Sequence, residues 1–178
     1  MKIGIDISQT AYEGTGVGEY IKKLVEYLLE IDKKNEYVLF FSSLRKNFQL
    51  SIFNFQSLPK NLTIKIYKFP PTFLDLLWNR LHIFPIEWLI GDVDVFLSSD
   101  WTQPPTKKAK KITILYDLIV HTCPQETDKK IIAVQKRRLK WVKKECEKIL
   151  CISEATKQDA MKILGIKQER LKVVYPGI

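Results

Sequence analysis

Apolar and polar positions alternate at the start of the chain and then change to a helical spacing. Residues 2–8 place isoleucine at every second position, which predicts a strand, and a glycine-containing loop follows at residues 14–18. A strand, a glycine loop and an amphipathic helix in this order are typical of the start of a parallel α/β sheet. The predicted helix carries these apolar residues on one face: Val17, Tyr20, Ile21, Leu24, Val25, Leu28 and Ile31.

Six more short apolar segments predict the remaining strands. Two of them are apolar at nearly every position, as strands buried on both faces are. The predicted strands span residues 37–41, 62–67, 93–97, 112–116, 149–152 and 171–174.

Three further segments predict helices between these strands. Residues 73–90 predict helical pieces interrupted at Pro85. Ser153 and Gly165 mark the start and the end of a helix that reaches Leu164. A long helix at residues 129–148 has this inner stripe: Ile132, Leu139, Val142, Cys146 and Ile149. We therefore expect a Rossmann-like α/β fold, a parallel sheet flanked by helices, in one domain over residues 1–178.

Composition excludes several classes of protein. Asp6 interrupts the first apolar segment too early for a signal peptide, and charged residues and Pro85 interrupt residues 73–90, so we predict a cytoplasmic chain without a membrane span. The cysteine count is 3, with no C-x-x-C pair or nearby histidine cluster, so neither a disulfide framework nor a metal site is predicted.

The net charge of +9 indicates an anionic partner. Part of this charge lies on the long predicted helix, beside Trp141. Such a face is either simply solvated or lies against an anionic membrane surface, and nucleic acid is less favoured because no nucleic-acid motif accompanies the charge. The candidate membrane or anion contacts are Lys136, Arg137, Arg138, Lys143 and Lys144.

The glycine loop is a candidate anion site. Backbone N–H groups at Gly16, Val17 and Gly18 would lie at a helix N-terminus, where the helix dipole favours phosphate. The spacing is not the dinucleotide fingerprint, because Glu19 stands where that fingerprint needs glycine. A nicotinamide dehydrogenase is therefore disfavoured, although the glycines could also serve loop geometry alone.

Two polar residues follow the predicted strand at residues 112–116. Asp117 and His121 would lie at the carboxyl end of the sheet, where open α/β folds bind ligands. Asp117 could hydrogen-bond a sugar hydroxyl or stabilise positive charge, and His121 could transfer a proton or be a structural histidine.

Several segments together resemble the N-terminal half of family 4 glycosyltransferases, which have the two-domain GT-B architecture. Each pattern is weak alone, but their order and spacing cover nearly the whole chain. The matching segments are Ile5-Asp6 with residues 14–21, residues 77–85 leading to 92–96, residues 98–105, residues 114–118 with Pro124, residues 151–159, and residues 173–178.

The resemblance implies retaining, metal-independent transfer of a sugar from a nucleotide-sugar, without another cofactor, to an acceptor hydroxyl on a glycan or a lipid-linked sugar. Many relatives have His-Asp where this chain has Tyr116-Asp117, so a histidine contact cannot be carried over and Asp117 becomes the preferred catalytic candidate, with Tyr116 and His121 beside it. The resemblance also places these residues near the donor phosphates or the acceptor: Gly16, Val17, Gly18, Asp100, Trp101, Ser153 and Glu154.

Members of this family bind most of the donor through a C-terminal domain, and no such domain follows residue 178. We therefore expect a truncated chain or half of a split enzyme that needs this second domain as its partner and is inactive alone. Two alternatives remain: a non-catalytic binding or assembly module that uses the basic helix, and a domain of another GT-B family.

Overall fold

The computed structural model describes residues 1–53 and 59–176. Seven parallel strands form one sheet in the order β3-β2-β1-β4-β5-β6-β7. This confirms the predicted fold class, and each strand begins and ends within about two residues of its predicted bounds. The strands are β1 Lys2–Asp6, β2 Glu36–Ser42, β3 Leu62–Tyr67, β4 Val95–Ser98, β5 Lys110–Leu115, β6 Lys148–Cys151 and β7 Leu171–Val173.

The α-helices lie in four of the connections, from β1 to β2, β3 to β4, β5 to β6 and β6 to β7. Thr15 caps α1 and Asp128 caps α5, each through a side-chain oxygen that accepts a backbone N–H, and Ser153 caps α6 as predicted. Gly165 ends α6 in the left-handed conformation, with φ of 62°. The helices are α1 Gly16–Ile31, α2 Pro71–Leu74, α3 Glu87–Ile90, α4 Ile119–Thr122, α5 Lys129–Glu145 and α6 Glu154–Leu164.

Two details of the predicted helices are wrong. Ile31 was expected on the buried face of α1 but is 77% exposed, because Leu29 points into the core at the last turn instead. Helix α5 ends at Glu145 rather than residue 148, because the Glu147 N–H bonds the carbonyl of Lys111 and thereby starts the pairing of β6 with β5. Residues 177 and 178, at the end of the stretch that resembles a domain connection, lie outside the described residues.

Neighbouring residues of β2 point to opposite faces of the sheet. Leu39 packs with Ile5 and with Ile21 and Val25 of α1. Phe40 packs on the other face, with Trp78 and other residues of the connection between β3 and β4. A further cluster joins β5 and β6 to α5 and α6. The sheet is thus covered on both faces in its centre, as parallel sheets require.

The connection between β3 and β4 is less regular than the other helical segments. After α2 it forms a π-helical turn, Asp75–Arg80, and it then breaks before α3. His82 and Phe84 in this break have φ of 52° and 69°, a conformation that bulky residues rarely adopt. The break that was predicted at Pro85 is therefore present, and it begins a few residues earlier.

Gly4 provides a test of packing in the sheet. A Cβ atom at this position would lie 2.8 Å from Ile90 Cδ1 and 2.9 Å from Phe96 Cδ2. We expect Gly4→Val to lower the free energy of unfolding by about 1–3 kcal/mol because the core has no room for the added carbons. Urea denaturation measures this. Gly16→Ala is the control, because a Cβ there meets no atom within 4 Å; equal stability of the two variants would contradict the packing argument.

Candidate functional site

The candidate site lies at the edge of the sheet where the strands end. Because all strands are parallel, the loops that follow β1, β4, β5 and β6 leave the sheet at this one edge. The ring of Tyr20, in the first turns of α1, meets the ring of Tyr116, just after β5, with centroids 5.5 Å apart. The glycine loop and the Tyr116-Asp117 segment are therefore neighbours.

Asp6 ends β1 beneath this edge and is buried. Its Oδ1 accepts the N–H of Ser8 at 2.9 Å, which fixes the first turn of the loop. Burial raises the pKa of Asp6, while hydrogen bonds from Ser8 and Ser99 oppose the shift. Asp6 thus connects the loop after β1 with the loop after β4.

The first turn of α1 packs closely against the backbone of the loop that precedes it. The N–H of Gly18 donates to the capping Oγ1 of Thr15 at 3.2 Å. A Cβ at Gly18 would lie 3.0 Å from the carbonyl oxygen of Gln9 and 3.1 Å from that of Tyr12, so only glycine fits without a shift of backbone. Gly16 and Val17 are the first residues of the helix, whose N–H groups have no partner within it.

The loop after β4 is held by buried hydrogen bonds. Ser98 Oγ donates to Gln103 Oε1 at 2.6 Å. Asn79 lies in the π-helical turn, and its Nδ2 donates to the carbonyl of Trp101 at 2.9 Å and to Asp75 Oδ1 at 3.0 Å. Its Oδ1 accepts the N–H of Gln103 at 3.0 Å. The single amide therefore ties this loop to the π-helical turn.

Asp100 lies in this loop beside α5. Gln135 Nε2 donates to the Asp100 carbonyl at 2.8 Å, and the Asp100 carboxylate is 3.5 Å from the guanidinium of Arg138. Burial raises the pKa of Asp100 to about 6, Arg138 opposes this, and the negative charge of Asp117 adds to it. The negative charge of Asp117 is thus close enough to influence the ionisation of Asp100.

Arg138 occupies a different place from the predicted one. It is 0% exposed, so the expectation that it contacts a membrane or an anionic surface is wrong. Its Nη2 donates to Thr113 Oγ1 at 2.8 Å and to the Ile114 carbonyl at 3.0 Å, and its Nε donates to the Ser99 carbonyl at 3.1 Å. The guanidinium therefore joins α5 to β5 and to the loop after β4.

The other predicted basic residues lie nearer the surface. Lys136, Lys143 and Lys144 are exposed. Arg137 is half-buried and pairs with Asp75, with Nη2 2.7 Å from Oδ2. The exposed basic face of α5 is consequently smaller than its sequence suggests.

Tyr116 and Asp117 follow β5 directly. Burial raises the pKa of the half-buried Tyr116, and the nearby Asp100 carboxylate adds to the shift. The exposed Asp117 accepts the N–H of Ile119 on Oδ1 at 3.0 Å, which fixes the turn into α4. Its second carboxylate oxygen has no partner in residues 1–53 and 59–176 and is open to a ligand.

His121 is half-buried at the end of α4. Burial and the positive charge of Lys136 lower its pKa. Its buried Nε2 has no hydrogen-bond partner among the residues that the structure describes. A neutral imidazole with an unpaired nitrogen is able to accept or donate one proton.

The remaining predicted residues lie on the same edge. Trp101 is half-buried in the loop after β4, and its backbone carbonyl is used by Asn79. Ser153 caps α6 by accepting the N–H of Thr156 at 3.1 Å. Glu154 is exposed and lies 3.6 Å from the Lys157 ammonium.

A groove of about 750 Å³ lies between α1 and the ends of β5 to β7. Its walls are mainly apolar, and its mouth contains the first residues of α1. The residues that line it include Gly16, Val17, Tyr20, Tyr116, Ile152 and Tyr175. Such a groove could hold part of a substrate against the glycine loop.

Sequence reasoning missed three components of this site: Asp6, Gln135 and Tyr20. Gln135 and Tyr20 contact segments far away in the chain, and Asp6 bonds the distant Ser99 as well as the nearby Ser8. The only local signal for Gln135 and Arg138 is that they share a helix face with the apolar Leu139 and Val142. In the described part of the chain no group of three potential metal ligands is present, and no helix is long and apolar enough to cross a bilayer.

A parallel α/β sheet with a glycine loop and polar groups at its carboxyl edge defines a Rossmann-like domain. The sequence profile of Glycosyltransferase Family 4 matches residues 14–178, and the chain therefore belongs to this family. None of the curated protein sequences matches the chain.

Solved structures agree on the fold. Eight chains match, among them HepE of Anabaena, whose crystal structure was determined in complex with UDP. The likeness has a TM-score of 0.50 at 12% sequence identity and covers 99% of this chain and 44% of HepE. The chain thus spans less than half the length of that protein.

The buried guanidinium leads to a prediction on stability. We expect Arg138→Met to lower the free energy of unfolding by about 3 kcal/mol or more, because it leaves buried acceptors and the Asp100 carboxylate without their partner. Lys136→Met, on the exposed side of the same helix, is expected to change it by less than about 0.5 kcal/mol. Chemical denaturation compares the two, and an equally small effect of both would contradict the role of Arg138.

A second prediction concerns ionisation. Burial is the main cause of the raised pKa of Asp100, and Asp117→Asn removes a negative neighbour that adds to it, so we expect this pKa to fall below about 6 but to stay above its ordinary value of 3.8. Titration of the carboxyl ¹³C signal of Asp100 by NMR measures this, with Asp92→Asn at the opposite edge as control. A titration midpoint that stays the same in Asp117→Asn would contradict the coupling.

The same shift fixes the sign of a pH effect on stability. Because its pKa is higher in the folded than in the unfolded chain, Asp100 stabilises the folded chain most fully below pH 3.8. That contribution is lost as the pH rises through about 6.

Proposed function

We propose that this chain is the acceptor-side half of a retaining glycosyltransferase, which transfers a sugar, of hexose type, from a nucleotide-sugar to a hydroxyl group of a glycan or a lipid-linked acceptor. Membership of Glycosyltransferase Family 4 supports transfer of a sugar. UDP in the crystal structure of HepE supports a nucleoside diphosphate as the leaving group.

One observation carries the proposal: the glycine loop and the Tyr116-Asp117 segment meet at one edge of the sheet. The ring contact between Tyr20 and Tyr116 joins them, and the apolar groove opens beside both. An acceptor in the groove would therefore lie within reach of both an anion-binding helix start and a carboxylate.

Each part of the edge has a role in this proposal. The N–H groups of Gly16 and Val17 stabilise negative charge on the departing diphosphate or orient the acceptor, and Gly18 lets the loop pack closely. Asp117 hydrogen-bonds a hydroxyl or stabilises the positive charge that develops on the sugar ring. His121 is the candidate for proton transfer because its Nε2 is unpaired among the described residues.

The other residues of the edge complete the acceptor side. Asp100 and Trp101 lie in a loop that buried hydrogen bonds hold, which suits a binding surface that must keep its shape. Ser153 and Glu154 lie at the start of α6, where a helix dipole favours an anionic group. A second domain is the proposed partner that supplies most of the donor site and closes the cleft.

Activity of the intact protein that carries this chain tests the proposal. We expect transfer of labelled sugar from a nucleotide-sugar, and a product with the anomeric configuration of the donor by NMR. Asp117→Asn is expected to lower kcat by about 100-fold, the scale of a lost catalytic group. The carboxamide oxygen still accepts the N–H of Ile119, so the turn stays intact.

Asp92→Asn is the matched control, since Asp92 is also exposed but lies at the opposite edge of the sheet. Circular dichroism checks that both variants fold. Wild-type turnover in Asp117→Asn would remove Asp117 from the site. Absence of transfer from every nucleotide-sugar would contradict the proposed function itself.

A further inference from the structure

The segment between β3 and β4 presents large apolar side chains to solvent. Leu81, Ile83 and Trp88 are 56%, 52% and 57% exposed, and Phe73 and Leu76 are also exposed. We call these five residues the 73–88 patch. Single exposed apolar residues are ordinary on a protein surface, but five within sixteen positions are a concentration that marks an interaction site.

The backbone holds the patch in this position. His82 and Phe84 have positive φ, which is costly for residues other than glycine and persists only where the surroundings enforce it. His82 stacks on Trp141 with ring centroids 3.6 Å apart, and the Phe84 carbonyl accepts Nε1–H of Trp78 at 3.0 Å. These inward anchors alternate with Leu81 and Ile83, which therefore face solvent in a fixed arrangement.

Lysines surround the patch. The Lys107 ammonium lies 5.1 Å from the Trp88 ring centre, and those of Lys140 and Lys144 lie 5.2 Å and 5.1 Å from that of Trp141. These three lysines form no ion pair within residues 1–53 and 59–176. Their charges are therefore available to an external anionic partner.

Two acidic groups of this region are ion-paired, and a third is buried. Asp75 pairs with Arg80 and Arg137, and Glu145 pairs with His82 and Lys111. Glu87 is buried, and its Oε1 accepts the backbone N–H groups of residues 107–109. The surface thus combines exposed aliphatic and indole groups with the positive charge of lysines that form no ion pair in the described part of the chain.

We propose that the 73–88 patch and its three lysines dock on the surface of an anionic lipid bilayer. Aliphatic side chains enter the headgroup boundary, indole rings favour that interface, and lysines attract anionic lipids. A second copy of the chain fits less well, because the self-contact would bring two sets of these lysines together. The inference rests on this surface alone and is independent of the proposed sugar transfer.

The proposed membrane contact differs from the one that the basic residues of α5 indicate in the sequence. Arg138 is buried and Arg137 is paired with Asp75. Of the basic residues that the sequence predicted as contacts, Lys144 lies near the patch, because its ammonium lies over the ring of Trp141, which stacks on His82. The apolar component comes from the connection between β3 and β4, a segment without the run of basic residues that α5 contains.

Co-sedimentation of the 178-residue chain with lipid vesicles tests the proposal. We expect binding to phosphatidylcholine vesicles that contain phosphatidylglycerol, weaker binding to pure phosphatidylcholine, and release by salt. Leu81→Ser, Ile83→Ser and Trp88→Ser together are expected to weaken binding at least tenfold, about the effect of removing three inserted side chains. Each of Lys107→Glu, Lys140→Glu and Lys144→Glu is expected to weaken it about fivefold or more.

Matched controls show whether vesicle binding depends on this surface or on exposed apolar residues and positive charge anywhere on the chain. Ile31→Ser, Leu44→Ser and Ile66→Ser together replace three apolar side chains elsewhere that are also more than half exposed. Lys34→Glu, Lys60→Glu and Lys65→Glu change three exposed lysines away from the patch. The proposal requires that the control sets keep vesicle binding.

Three results would overturn the proposal. The first is no binding to anionic vesicles, and the second is an equal loss of vesicle binding in the patch and control sets. The third is concentration-dependent dimerisation that the patch variant abolishes while its vesicle binding is unchanged. Circular dichroism of each set confirms folding, and the single lysine variants still test the surface if the apolar triple variant does not fold. Failure here leaves sugar transfer by the intact protein unaffected, so the two proposals fail separately.

Discussion

The common direction of the seven strands is the constraint on which the site depends. A parallel sheet places every strand end at one edge, so residues as distant in sequence as Asp6, Asp100 and Asp117 come together there. The sheet alone is enough to make the loops after β1 and β5 neighbours. The backbone conformation of each loop is fixed separately, by the cap that Thr15 forms at the start of α1 and by the hydrogen bond between Asp117 and Ile119.

A buried charge supplies the order of the loop after β4. Isolated charges in a protein interior are strongly unfavourable, so the guanidinium of Arg138 must have acceptors around it. It finds them in the backbone of Ser99 and Ile114 and in the side chain of Thr113. Through these hydrogen bonds Arg138 fixes the position of α5 against β5. Its guanidinium also lies close to the carboxylate of Asp100, whose pKa is raised by burial in the same region.

The sequence was sufficient to predict the fold because parallel strands are apolar on both faces and helices carry a periodic apolar stripe. It also located the glycine loop and the Tyr116-Asp117 segment, since each directly follows a recognisable strand. The burial of Arg138 was missed although the residue shares a helix face with the apolar Leu139 and Val142. A charged side chain in a basic helix is expected to be exposed, and the acceptors that allow its burial lie in distant segments.

Contacts between distant segments were equally hidden. His82 and Trp141 stack although 59 positions separate them, and nothing local to either residue indicates the other. His82 has a positive φ, which histidine adopts more readily than most residues do, and the stacking on Trp141 holds its ring in place.

The side-chain amide of Asn79 bonds both to the π-helical turn that carries it and to the backbone of Trp101 and Gln103. Both donor positions of its Nδ2 and its Oδ1 are used in these bonds, and the side chain is buried. The π-helical turn and the loop after β4 are therefore joined directly at this residue, so a displacement of one segment is transmitted to the other.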